Sequence, residues 1–144
     1  MSYMYKQRVS LLLKSAIDEI KFAIDTTKDV VDESYFGTTT AGMILFRSSC
    51  LCIQNMAEAF VQIDNLTEKR LLEQYDTVPW KAIKGMRAIL VHDYLSVEEP
   101  EILSILHQDL PELLPTVEAM YEDIRKGDHD PFFEDLDAKK ASRK

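Results

Sequence analysis

Between Met43 and Ile63 the chain reads MILFRSSCLCIQNMAEAFVQI, a stretch whose apolar residues fall on nearly every side of a helix. A helix of that composition cannot lie on a surface; other elements have to surround it. The segment is therefore expected to be the central helix of a bundle. Arg47, Gln54 and Glu58 are its polar exceptions, and each is expected to face a groove or a partner instead of bulk water. Upstream, YKQRVSLLLKSAIDEIKFAIDTT sets Val9, Leu13, Ala16, Ile17, Ile20 and Ile24 at helical spacing, which predicts a surface helix with one buried stripe. Between the two, DESYFGTTTAG has the glycines and threonines of a loop with N-caps.

Residues 64–78 read as a connection containing a short helix, EKRLLEQY. A third long helix is expected from about Pro79 to about Tyr94, with Asp76 and Thr77 as capping candidates. SVEEPEILSILHQ predicts a fourth, capped by Ser96 and carrying Pro100 in its first turn. DLPELLPTVEAMYEDIRKG predicts a fifth, opened by Pro111, kinked at Pro115 and ended by Gly127. Glycine and proline are scarce and no strand alternation occurs, so the fold class is all-α: an up-and-down bundle of about five helices. One domain is expected over residues 1–127. The charged tail, 128–144, is expected to be partly disordered or docked through Phe132 and Phe133.

A formal net charge of −8 excludes a protein that coats nucleic acid nonspecifically, because such a protein needs a broad basic surface. Lys81, Lys84 and Arg87 form a small local cluster of positive charge, so any phosphate contact has to be focused there. No apolar run approaches the roughly 20 residues that span a bilayer, and no charged-then-apolar leader opens the chain; a cytoplasmic protein without a membrane partner is expected. Cys50 and Cys52, two apart on a helix, point in different directions and read as buried free thiols. His107 and His129 lack partners at metal-ligand spacing and read as surface residues. With no Glu-x-x-His pair, Gly-rich phosphate loop or Ser-His-Asp ordering, neither a metal nor a cofactor is expected.

The third long helix ends in RAILVHDY, residues 87–94, which gathers an arginine, a histidine and a tyrosine where the helical pattern breaks. At about 100° per residue, Ile83, Met86 and Leu90 fall on one face, and Gly85, Ala88 and His92 fall roughly opposite, beside Lys81. Glycine inside a helix costs about 0.5–1 kcal/mol relative to alanine, and the usual reason for it is close approach of another backbone. Gly85 and Ala88 thus mark an expected contact with a second copy of the chain. Arg87 and His92 are five residues apart, which points them about 140° away from each other. To meet on one phosphate they need a frayed helix end, a long reach by Arg87, or convergence across a two-fold interface. The interface is favoured, since the Gly85/Ala88 face already asks for one.

PWKAIKGMRAILVHDY, followed by LPELLPTVEAM, resembles the HepT-like branch of the HEPN superfamily, in which an Arg-x4-His-x-Tyr motif ends the third long helix. Here Arg87, His92 and Tyr94 match the motif, with Pro79–Trp80 and Gly85–Met86 in register ahead of it. The likeness covers most of residues 5–125 and is strongest from Asp76 to Leu114; Glu58 aligns with a family acidic position. The resemblance implies a homodimeric, metal-independent ribonuclease, the toxin of a toxin–antitoxin pair. It also implies an antitoxin, a minimal nucleotidyltransferase that in some members transfers AMP to the motif tyrosine. Carried over, His92 is the general base or acid, Arg87 stabilises charge on the scissile phosphate, and Tyr94 positions RNA and accepts AMP. Lys81 and Lys84 are possible phosphate contacts. Against this stands a second reading: a noncatalytic helical module that binds the nucleotidyltransferase and serves as its substrate, which the acidity of the chain favours.

Overall fold

The computed structural model describes residues 4–142, so the last two residues of the tail lie outside it. Among the described residues the regular elements are all helical, with no strand. Helix α1 (Met4–Thr27) buries Val9, Leu13, Ala16, Ile17 and Ile20 as its spacing predicts. A loop and the single turn α2 (Tyr35–Thr38) lead into α3 (Thr40–Leu66), whose N-cap Thr39 accepts a hydrogen bond from the Gly42 amide. Gly42 is required there, because a Cβ would collide with the Tyr35 carbonyl. α1 packs along α3, and α4 (Trp80–His92) packs on the other side of α3. α5 (Glu99–Ser104) packs on α3, and α6 (Leu110–Lys126) runs along α1, with Glu118 paired to Lys21. The pairs Lys84–Asp64 and Arg87–Glu58 run in opposite residue order, so α4 is antiparallel to α3; the bundle is up-and-down.

Several boundaries differ from the sequence expectation. The stretch EKRLLEQY is not a helix but a tight turn followed by a 3-10 turn at Leu72–Gln74. Glu68 and Lys69 both carry a left-handed backbone (φ 56° and 63°) in that turn. Asp76 and Thr77 do not cap α4: Pro79 holds the N-cap position without a side-chain bond, and the Trp80 amide donates to the Val78 carbonyl. Ser96 caps nothing either, since Tyr94–Ser96 form a 3-10 turn of their own.

The fourth and fifth helices are continuous. Ile105–Asp109 form a π turn that joins α5 to α6 without a break. Pro111 therefore opens no helix. It lacks an amide proton and its ring crowds the carbonyl four residues back, and a widened π turn accommodates both. In the same turn the His107 ring Nε2 lies 2.9 Å from the Thr27 carbonyl, so His107, exposed as expected, also ties the turn to the end of α1. Gly127 ends α6 with a left-handed backbone (φ 92°), as expected.

The tail folds into α7 (Asp130–Ala141). Phe133 and Leu136 are fully buried, while Phe132 is only partly so. Asp130 bonds Lys6 at 2.6 Å, Asp135 and Lys139 reach Arg70 and Glu68 of the α3–α4 turn, and Arg70 lies over the Phe132 ring at 5.0 Å. His129 is not free at the surface, because Tyr75 Oη sits 2.8 Å from its Nε2 while donating to Asp123. Burial and the Asp123 carboxylate push the Tyr75 phenol upward.

Candidate functional site

α4 is fixed from its start. Trp80 packs on Phe60 of α3, ring centroids 4.9 Å apart, and its indole N–H donates to the Tyr75 carbonyl. Ile83 and Leu90 are buried and Met86 partly so, as the helical phase predicts. On the flank facing α3, two cations meet two carboxylates. Lys84 pairs with Asp64, a carboxylate only 5% exposed, which holds its ammonium against α3 and away from a possible phosphate contact. Arg87 pairs through Nε with Glu58. Glu58 Oε2 is itself buried without a regular hydrogen bond, so the charge of Arg87 is what compensates it; Oε1 accepts from Gln62 at 3.1 Å. The Arg87 guanidinium is thereby held on one edge and open on the other.

His92 is exposed and closes the helix. The next amide, Asp93 N–H, donates to the Ile89 carbonyl at 2.8 Å, so the last turn is intact and the helix does not fray before His92. Arg87 leans on α3, whereas His92 stands about 140° around the helix. Tyr94 starts the following 3-10 turn, half-buried, its ring 6.2 Å from Phe46, which in turn packs on Phe36. Lys81, Gly85 and Ala88 are exposed. A Cβ on Gly85 would meet nothing within 4 Å, so no close approach within the chain accounts for that glycine.

The central helix is not covered all round. Ile44 is 62% and Leu51 54% exposed, and with Arg47, Gln54 and Glu58 they form one outward stripe at spacings of three and four. Val91, near the end of α4, and Leu95, just after it, are also exposed apolar side chains, the latter 98% exposed. The sequence reading missed this stripe, although the 47–51–54–58 spacing of its members was the available signal.

Burial raises the thiols of Cys50 and Cys52, to about 11 and about 12, which leaves both protonated and unreactive near neutrality. Among the described residues no group of three His, Cys, Asp or Glu side chains is placed to hold a metal ion. No described helix is long and apolar enough to cross a membrane.

Fold and geometry together define a helical-bundle protein with an arginine, a histidine and a tyrosine near one helix end, beside exposed apolar side chains. Residues 14–120 match the model of the family described as ribonuclease HepT-like, and the chain belongs to that family. "Putative RNase MJ1380" of Methanocaldococcus jannaschii is 25% identical over 117 residues, 81% of this chain and 100% of that protein. "Putative RNase TTE0752" of Caldanaerobacter subterraneus subsp. tengcongensis is 28% identical over 110 residues, 76% of this chain and 91% of that protein. No solved structure matches the chain.

Proposed function

We propose that this protein is a metal-independent endoribonuclease, the toxin of a toxin–antitoxin pair, whose site is completed when two copies bring Arg87 and His92 together across a homodimer interface. The observation that carries the reading is the uncovered apolar ground of Ile44, Leu51, Val91 and Leu95 around an arginine and a histidine that one intact helix keeps apart. A second copy seated on that ground supplies what one copy lacks. Family membership and the names of the relatives support the reaction class.

In this reading His92 takes the proton of a ribose 2′-hydroxyl as its oxygen attacks phosphorus, or returns a proton to the departing 5′-oxygen. The products are a 2′,3′-cyclic phosphate and a 5′-hydroxyl. Histidine titrates near neutral pH and suits either task. Arg87, with one edge on Glu58, offers its open edge to the phosphate oxygens as charge builds. Lys81, in no ion pair among the described residues, is the freer of the two candidate phosphate contacts, since Lys84 is engaged by Asp64. Tyr94 positions RNA, and AMP transfer to its hydroxyl by a nucleotidyltransferase antitoxin would add bulk and negative charge beside the phosphate site. A cytoplasmic location follows from such a role.

The test is RNA cleavage by the purified protein in EDTA, alongside Leu51→Asp and measurement of mass in solution. A dimeric, active wild type and a monomeric, inactive Leu51→Asp are expected; cleavage by a monomer would overturn the composite site. The net charge of −8 favours the second reading, a noncatalytic module docking a nucleotidyltransferase. Loss of cleavage in Arg87→Ala with retained dimerisation would decide against it.

A further inference from the structure

A cleft of about 360 Å³ opens between the start of α4 and the π turn that leads into α6. Val78, Pro79, Ala82 and Met86 form its apolar side, and Asp109 and Glu112 stand on the opposite wall. Carboxylates at this position would ordinarily answer the free amides of a helix start. That account fails here, because no helix starts at Leu110: the Leu110 amide bonds back to the Ile105 carbonyl, and the Ile105 amide to those of Glu101 and Ile102. The Asp109 side chain makes no capping bond. Neither carboxylate pairs with a cation among the described residues. Both are exposed, and like charges three residues apart on one helical wall disfavour each other, which a cation between them would relieve.

We propose that this cleft receives an arginine side chain presented by a protein partner. Its methylene stem lies along Val78, Pro79 and Met86, and its guanidinium bridges Asp109 and Glu112. A planar fork spans two carboxylates where an ammonium reaches one, so arginine fits better than lysine. RNA is the wrong chemistry, since its phosphates meet two negative charges. The cleft lies on the flank of α4 that faces α6, whereas Arg87 lies on the flank that faces α3. Partner and RNA can therefore occupy the protein at once.

The probe is a blocked Gly-Arg-Gly peptide, titrated into the full chain with methyl-labelled methionine and followed by NMR at Met86. The expected result is a saturable shift of the Met86 methyl, weakened about tenfold in Asp109→Asn/Glu112→Gln, as loss of charge-assisted hydrogen bonds requires. Glu98→Gln, an exposed carboxylate outside the cleft, should leave binding unchanged, and a blocked Gly-Lys-Gly peptide should bind more weakly. Ala82→Trp, which fills the mouth of the cleft and keeps both carboxylates, should abolish the shift. An unmoved Met86 methyl, or full binding by the double variant or by Ala82→Trp, would overturn the proposal. Spermidine binding at the same methyl as tightly as the peptide would overturn the protein partner in favour of a free polyamine.

Discussion

The seam between α3 and α4 and the seam that holds α7 are built from the same parts, an aromatic anchor and a set of ion pairs. They differ in where the charges sit. Around α7 the apolar anchors Phe133 and Leu136 are sealed inside, and Lys6–Asp130, Arg70–Asp135 and Lys139–Glu68 lie on the rim. Between α3 and α4 the order is partly reversed: Asp64 and the inner oxygen of Glu58 are buried, while Ile44, Leu51 and Val91 are left bare. Rim charges contribute little to stability, whereas a buried carboxylate fixes its cation in place. The first seam covers its apolar residues within one chain, and the second holds Lys84 and the candidate Arg87 in position beside exposed apolar side chains.

If that contrast is sound, changes at the two seams should separate activity from stability. The largest effect expected is on cleavage. His92→Ala should lower RNA cleavage by about 10²–10⁴-fold, and its unfolding free energy should stay within about 0.5 kcal/mol of wild type, as for an exposed residue. A parallel loss of stability on urea titration would mean that His92 serves the fold. Phe133→Ala should do the converse, costing about 3–5 kcal/mol for an aromatic side chain removed from a sealed site. Asp64→Asn sits between them. It leaves the Lys84 ammonium without its charge partner and should cost about 1–3 kcal/mol by the same titration. No loss at all would show that the α3–α4 seam does not depend on its charges.

The smallest effect concerns pH. Cys50 and Cys52 keep their protons in the folded chain up to about 11 and about 12, while an unfolded cysteine releases its proton near ~8.5. The stabilisation from keeping them neutral is complete below the unfolded value. Above it the unfolded chain binds fewer protons than the native one, so stability falls as pH rises toward the folded values. Under reducing conditions Cys50→Ala should flatten that alkaline decline; an unchanged slope would place it elsewhere.

Most of the architecture could be read from residue spacing, since burial of Val9, Leu13, Ile83 and Leu90 follows directly from helical phase. What escaped was set by backbone bonds that spacing does not report. Asp76, Thr77 and Ser96 are good capping residues by type, yet tight turns at Val78–Trp80 and Tyr94–Ser96 took over the helix ends. Two helices were expected over residues 96–127 because Pro111 reads as a helix opener, whereas a π turn carries the helix through it. The Arg87, His92 and Tyr94 constellation was legible through its motif. Its partners were only half so: Glu58 stood out as a polar exception in α3, but Asp64 and Lys84 gave no sign that they would meet.

The turn from α3 into α4 sets two consecutive L-residues, Glu68 and Lys69, in a mirror-image conformation that disfavours each by about 1–2 kcal/mol. From outside the turn, Lys139 pairs with Glu68, and Asp135 and the Phe132 ring engage Arg70, so α7 contributes to holding it. A helix remote in sequence thus fastens the corner from which the motif-bearing helix departs.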